Sequence, residues 1–131
     1  MEIYSGKIDI QDLYDDLGLN TTSLFEAIKD GFDAALSIEF YEGFWHIFKH
    51  GEDEDEKLME EIGKKILEEF KKIEYPENDP EKAIEMEMDT IEKVVREYER
   101  ILTDRGFREC RIFFVKDGYT FAYYILFNKF I

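Results

Sequence analysis

Apolar positions recur at intervals of three and four over residues 53–74, at Met59, Ile62, Ile66, Phe70 and Ile73. That spacing lays an apolar stripe along one helix. Asp53 is its expected N-cap, with Glu56 three residues later in capping-box spacing. Acids crowd the start (Asp53, Glu54, Asp55, Glu56) and lysines the end (Lys71, Lys72), as the helix dipole favours. A second helix is expected over residues 80–104, where Ile84, Met88, Ile91, Val95, Tyr98 and Leu102 step by four and three. Asp79 caps it, Pro80 takes its first position, where no N–H is needed, and Gly106 stops it. The connection Tyr75-Pro76-Glu77-Asn78-Asp79 is too short to let the two helices separate, so they are expected to form a long antiparallel αα-hairpin.

The pattern changes to alternation over residues 109–129. Asp117-Gly118 is a two-residue turn signal. Folding about it pairs Phe114 with Phe121, Ile112 with Tyr123 and Cys110 with Ile125 on a core face. Arg111, Phe113, Val115, Thr120, Ala122 and Tyr124 share the other face. A strand apolar on both sides implies a central position or a second covered face. Residues 35–49 alternate as well. A turn at Glu42-Gly43 pairs Phe40 with Trp45, Ile38 with Ile47 and Leu36 with Lys49, and sets Glu39 against His46 and Ser37 against Phe48. The same segment as one continuous helix would carry Gly43 inside it, at a cost of about 1 kcal/mol. The alternation favours the hairpin.

The N-terminal third is less regular. Ile3-Tyr4 suits a short strand. Ile10, Leu13, Tyr14 and Leu17 suit a short helix ended by Gly18. Ser23 and Glu26 have capping-box spacing ahead of Leu24, Phe25 and Ile28, and Gly31 limits that helix. The expectation is a single α+β domain over residues 1–131, with an antiparallel sheet of two hairpins (about four strands) packed on the αα-hairpin beside short N-terminal helices.

Composition adds a large charge. The 131 residues carry 32 acids against 17 bases, a formal net charge of −15. Residues 1–35 contribute −6, residues 52–79 contribute −7 and residues 80–104 contribute −4, whereas residues 105–131 contribute +3. Such a body repels nucleic-acid phosphates and attracts cationic partners. Hydrophobic residues at 44% and aromatics at 16% are ample for a folded core, so the charge does not imply disorder. Three Asn and one Gln beside 20 Glu and 12 Lys match the balance of proteins from hot environments, so a thermophilic source, archaeal or viral, is expected. No 18-residue apolar run spans a membrane. The start Met-Glu-Ile-Tyr-Ser lacks the regions of a signal peptide, so a cytoplasmic location is expected.

The sole cysteine, Cys110, excludes an internal disulfide and multi-cysteine metal sites. Arg108 and Arg111 flank it, yet its place on the core face points to an inert thiol; a Cys–His dyad with His46 has no local support. Glu42, His46 and His50 are spaced four apart and would line one face of a helix as metal ligands. On a strand, His46 and His50 would stand about 13 Å apart, too far for one metal. No cofactor is therefore expected. Arg105, Arg108, Arg111, Lys116 and Lys129 interleave with Tyr119, Tyr123 and Tyr124, a mixture that suits nucleic-acid stacking. The overall acidity opposes this, and arginines paired with the acidic helices are the preferred reading.

The expected function is that of a small acidic, non-enzymatic interaction protein with a basic protein partner, in its extreme form a nucleic-acid mimic. No direct nucleic-acid binding is expected. The expected contact residues are Glu52, Asp53, Glu54, Asp55, Glu56, Glu60 and Glu61. The alternative is a small metal-binding protein or enzyme centred on His46. The mixed face Phe113, Val115, Ala122 and Tyr124, with Phe130-Ile131, also points to a homodimer.

Overall fold

The computed structural model describes residues 1–9 and 21–130. They form one five-stranded sheet flanked by helices. The strands are β1 (Glu2–Asp9), β2 (Ala34–Tyr41), β3 (Phe44–Gly51), β4 (Phe107–Asp117) and β5 (Thr120–Lys129). The helices are α1 (Thr21–Ile28), α2 (Asp53–Phe70), α3 (Pro80–Glu97) and α4 (Glu99–Asp104), with a 3₁₀ turn at Lys29–Gly31. The strand order is β1-β4-β5-β2-β3. The α+β class holds, but the sheet has five strands and is mixed, because β1 runs parallel to β4. Ile3-Tyr4 is thus part of an eight-residue edge strand. Its partner lies a hundred residues downstream, where no local pattern announces it. No described helix is long and apolar enough to cross a membrane.

The β2–β3 hairpin has the expected register, with Phe40 opposite Trp45, Ile38 opposite Ile47 and Glu39 opposite His46. Glu42 (φ 54°) and Gly43 (φ 83°) both have positive φ, the requirement of a type I′ turn. The β4–β5 hairpin is shifted by two residues from the expected pairing: Phe114 faces Tyr123, Ile112 faces Ile125 and Cys110 faces Phe127. The loop is Gly118-Tyr119, with positive φ at Gly118, the first loop position. That suits a type II′ turn as well as Asp-Gly suits type I′. A slip of two leaves every side chain on its expected face.

Both faces of the sheet are covered. On one, α2, α3 and α4 bury Met59, Ile62, Ile66, Ile91, Val95 and Leu102 against Leu36, Ile38, Ile112, Tyr123 and Ile125. On the other, Leu24 and Phe25 of α1 pack on Ala35, Val115, Ala122, Tyr124 and Leu126. The face Phe113, Val115, Ala122 and Tyr124, expected to need a homodimer partner, is therefore covered from within the chain, whereas Phe130 stays 57% exposed.

α2 ends at Phe70, earlier than expected. Just beyond it the Lys72 and Ile73 amides bond the Glu69 and Phe70 carbonyls, three residues back, so the helix tightens and ends there. Its N-cap is Glu52, not Asp53, and no side chain caps it. The Glu56 amide bonds the Glu52 carbonyl at 2.8 Å, so no capping box forms. The expected long αα-hairpin is not matched in detail: α2 and α3 touch, but the second helix breaks at Tyr98 into α3 and α4. Asp79 does cap α3, accepting from the Lys82 amide at 3.1 Å, with Pro80 at the first position. Gly106, at φ 95°, follows α4. α1 begins at Thr21, so Ser23 lies inside the helix rather than capping it. The helix expected over Ile10, Leu13, Tyr14 and Leu17, and Ile131, fall outside the described residues.

Candidate functional site

The structure divides the seven expected contact residues. Asp55 turns inward and is 7% exposed. Its carboxylate takes Arg105 Nη1 at 3.2 Å and Lys129 Nζ at 2.8 Å, tying the first turn of α2 to the end of α4 and the end of β5. Glu54 stands 3.6 Å from Lys57 and 3.9 Å from Arg105. Glu60 is held by Lys49 at 2.9 Å and Lys64 at 3.5 Å, and the Lys49 hydrogen bond draws its carboxyl below the usual range. Glu61 accepts from the Tyr98 hydroxyl at 3.1 Å. Glu52, Asp53 and Glu56 are exposed, and among the described residues their carboxylates have neither an ion-pair nor a hydrogen-bonding partner.

The acidic start of α2 and the basic C-terminal region, far apart in sequence, therefore meet and partly neutralise each other. The expectation that arginines serve the acidic helices is met at Arg105, whereas Arg111 pairs with Glu109 of its own strand at 2.6 Å. The interleaved cations and tyrosines do not make one surface. Arg105 and Lys129 sit beside α2, Lys116 and Tyr119 sit at the far tip of the hairpin, and Tyr123 and Tyr124 are buried in opposite faces.

The metal-ligand reading of Glu42, His46 and His50 needs a helix, and the segment is a turn followed by a strand. Among the described residues no three His, Cys, Asp or Glu side chains cluster as metal ligands. His50 faces Asp30 at 3.8 Å. The imidazole of His46 stacks on Tyr41 at 3.9 Å, and its buried Nε2 has no hydrogen-bond partner among the described residues. Glu39 lies opposite His46 in the ladder and accepts from the Ser37 hydroxyl at 3.0 Å. Cys110 belongs to the α2–α3 face of the sheet. The Glu39–His46 pair belongs to the other, so a Cys–His dyad cannot form. Burial pushes the Cys110 thiol well above its ordinary pKa.

A second constellation escaped the sequence reading. Phe40, Trp45, Tyr75, Pro80, Ala83, Ile84, Phe114 and Phe121 line a pocket of about 610 Å³ between α3, the tip of the β4–β5 hairpin and the start of β3. Glu87 lies in its wall and is 6% exposed. Tyr123 donates to Glu87 Oε1 at 2.6 Å, and Tyr75 to Oε2 at 2.8 Å. Burial raises the Glu87 pKa, and the two hydroxyl donors oppose that rise. Burial, with the carboxylate beside it, also pushes both tyrosines upward. The available signal was periodic: Glu87 stands three residues after Ile84 and four before Ile91, inside the apolar stripe. A carboxylate on a core stripe requires hydrogen-bonding partners when buried. Compared with protein-family models, curated proteins and solved structures, the chain matches none.

Proposed function

We propose that this is a small non-enzymatic interaction protein whose acidic helical surface docks on a basic patch of a partner protein, at the extreme as a nucleic-acid mimic. The observation that carries this reading is the state of Glu52, Asp53 and Glu56. Three exposed carboxylates stand within one turn, unpartnered among the described residues, on a chain of net charge −15. Many of the cations are already engaged: Lys49, Lys57, Lys64, Lys65, Lys72, Arg96, Arg105 and Lys129 each face a carboxylate. The surplus potential is directed outward, where it accelerates encounter with a basic surface and weakens with salt. Glu54, Glu60 and Glu61 flank this group. Asp55 belongs to the fold and not to the contact set.

The test is affinity capture from host lysate at low and at high salt, with the wild type and with Glu52→Gln/Asp53→Asn/Glu56→Gln. The reading requires a basic partner held by the wild type at low salt, released at high salt and not captured by the variant. A partner retained equally in all four conditions refutes it.

A further inference from the structure

The pocket walled by Trp45, Tyr75 and Phe121 stands apart from the acidic start of α2, at the opposite end of the β4–β5 hairpin. We propose that it binds a small organic ammonium ion, one whose positive nitrogen carries alkyl groups, against the Glu87 carboxylate. Three observations converge. First, Glu87 is buried with two hydroxyl donors, and no lysine or arginine among the described residues reaches ion-pair distance. Buried carboxylates ordinarily have a cation, and here the missing partner would stand in the pocket. Second, Phe40, Trp45, Phe114 and Phe121 line the space, and aromatic rings attract a desolvated cation through their negative faces. Third, about 610 Å³ falls within the range of small-molecule sites.

The same walls select the type of cation. A metal ion would find one carboxylate and apolar rings, too few oxygen donors to replace its water. A bare ammonium keeps a strong hydration shell, whereas an alkylated one carries its own apolar surface to match Ile84, Pro80 and the rings. Lys116 is the one basic side chain lining the pocket; it is exposed and not paired with Glu87. The long-range negative field of the chain favours entry of any cation.

The probe is choline, with 3,3-dimethylbutan-1-ol as its neutral isostere of nearly the same shape. Trp45 is the sole tryptophan, so its fluorescence reports on the pocket. The expected result is that choline binds at least about tenfold more tightly than the alcohol. Glu87→Gln, which keeps an acceptor for one tyrosine and turns an amide donor to the other hydroxyl, is expected to abolish that preference. Ala83→Phe is expected to fill the pocket and remove binding of both, with the fold checked by circular dichroism. Equal affinity for the two probes overturns the proposal. So does full choline affinity in folded Glu87→Gln, or no binding up to about 10 mM. A trimethyl-lysine peptide distinguishes the source. If the peptide binds and choline does not, the small-ligand assignment falls.

Discussion

Asp55 lies in the most acidic stretch of the chain, yet the structure uses it as a clasp. Replacing it with alanine tests that distinction. Its carboxylate is 9% exposed and joins Arg105 at 3.2 Å and Lys129 at 2.8 Å. Removing one partner of a fully buried ion pair costs about 3–5 kcal/mol. Removing one from an exposed pair costs about 0.2–1 kcal/mol. Both cations here are 34% exposed, so water partly rehydrates them once the carboxylate is gone. The expected loss therefore falls between the limits, at about 2–3 kcal/mol. The site adds a small helix-dipole contribution in the first turn of α2. For a domain of this size that corresponds to a fall in Tm of roughly 6–15 °C. Urea unfolding followed at Trp45 gives the free energy, and thermal circular dichroism gives Tm. Asp55→Asn keeps one acceptor oxygen and is expected to lose about half as much. Lys129→Met preserves packing on Phe107, over which the Lys129 ammonium lies at 4.6 Å from the ring centre. A double-mutant cycle between Asp55→Ala and Lys129→Met is expected to show coupling near 1 kcal/mol. A loss below about 0.5 kcal/mol for Asp55→Ala, in the range of an ordinary surface substitution, would refute the clasp.

Two further outcomes follow from buried groups. The folded-state pKa of Glu87 is raised, so the folded protein holds this proton more tightly than the unfolded chain. Its contribution to stability is complete below the ordinary glutamate range and is lost as pH rises through the raised folded value. Denaturant unfolding from pH 4.5 upward is expected to show stability falling less with pH in Glu87→Gln than in the wild type, and parallel profiles would contradict this. Cys110 is fully buried with its thiol pKa pushed up, so a thiol reagent at pH 8 is expected to leave the native protein unmodified and to label it quickly in concentrated guanidinium. Rapid labelling of the native state would show that the thiol is accessible.

Elements whose information is local could be read from the order of residues alone. The 3–4 spacing of Met59, Ile62, Ile66 and Phe70 marks α2 and its buried side. The Glu42-Gly43 turn sets the register of β2 on β3, because positive φ at two consecutive residues leaves few alternatives. The alternation in β4 and β5 assigns each side chain to its face even where the register slips by two. Tertiary structure decided everything that depends on partners distant in sequence. Nothing near Ile3 indicates that β1 will lie parallel to β4, since the pairing energy belongs to both strands. Nothing near Asp55 indicates that Arg105 and Lys129 will arrive beside it. Its neighbours Glu52, Asp53 and Glu56, of the same chemistry and in the same helical turn, remain in water. The Glu87 pocket was half legible: a carboxylate inside an apolar stripe announces a buried polar contact. Which hydroxyls answer it, and that an aromatic hollow opens beside it, follow from α3 crossing the hairpin that carries Tyr123. Helix and strand formation are set over a few residues, whereas a site is set by which surfaces the chain brings together.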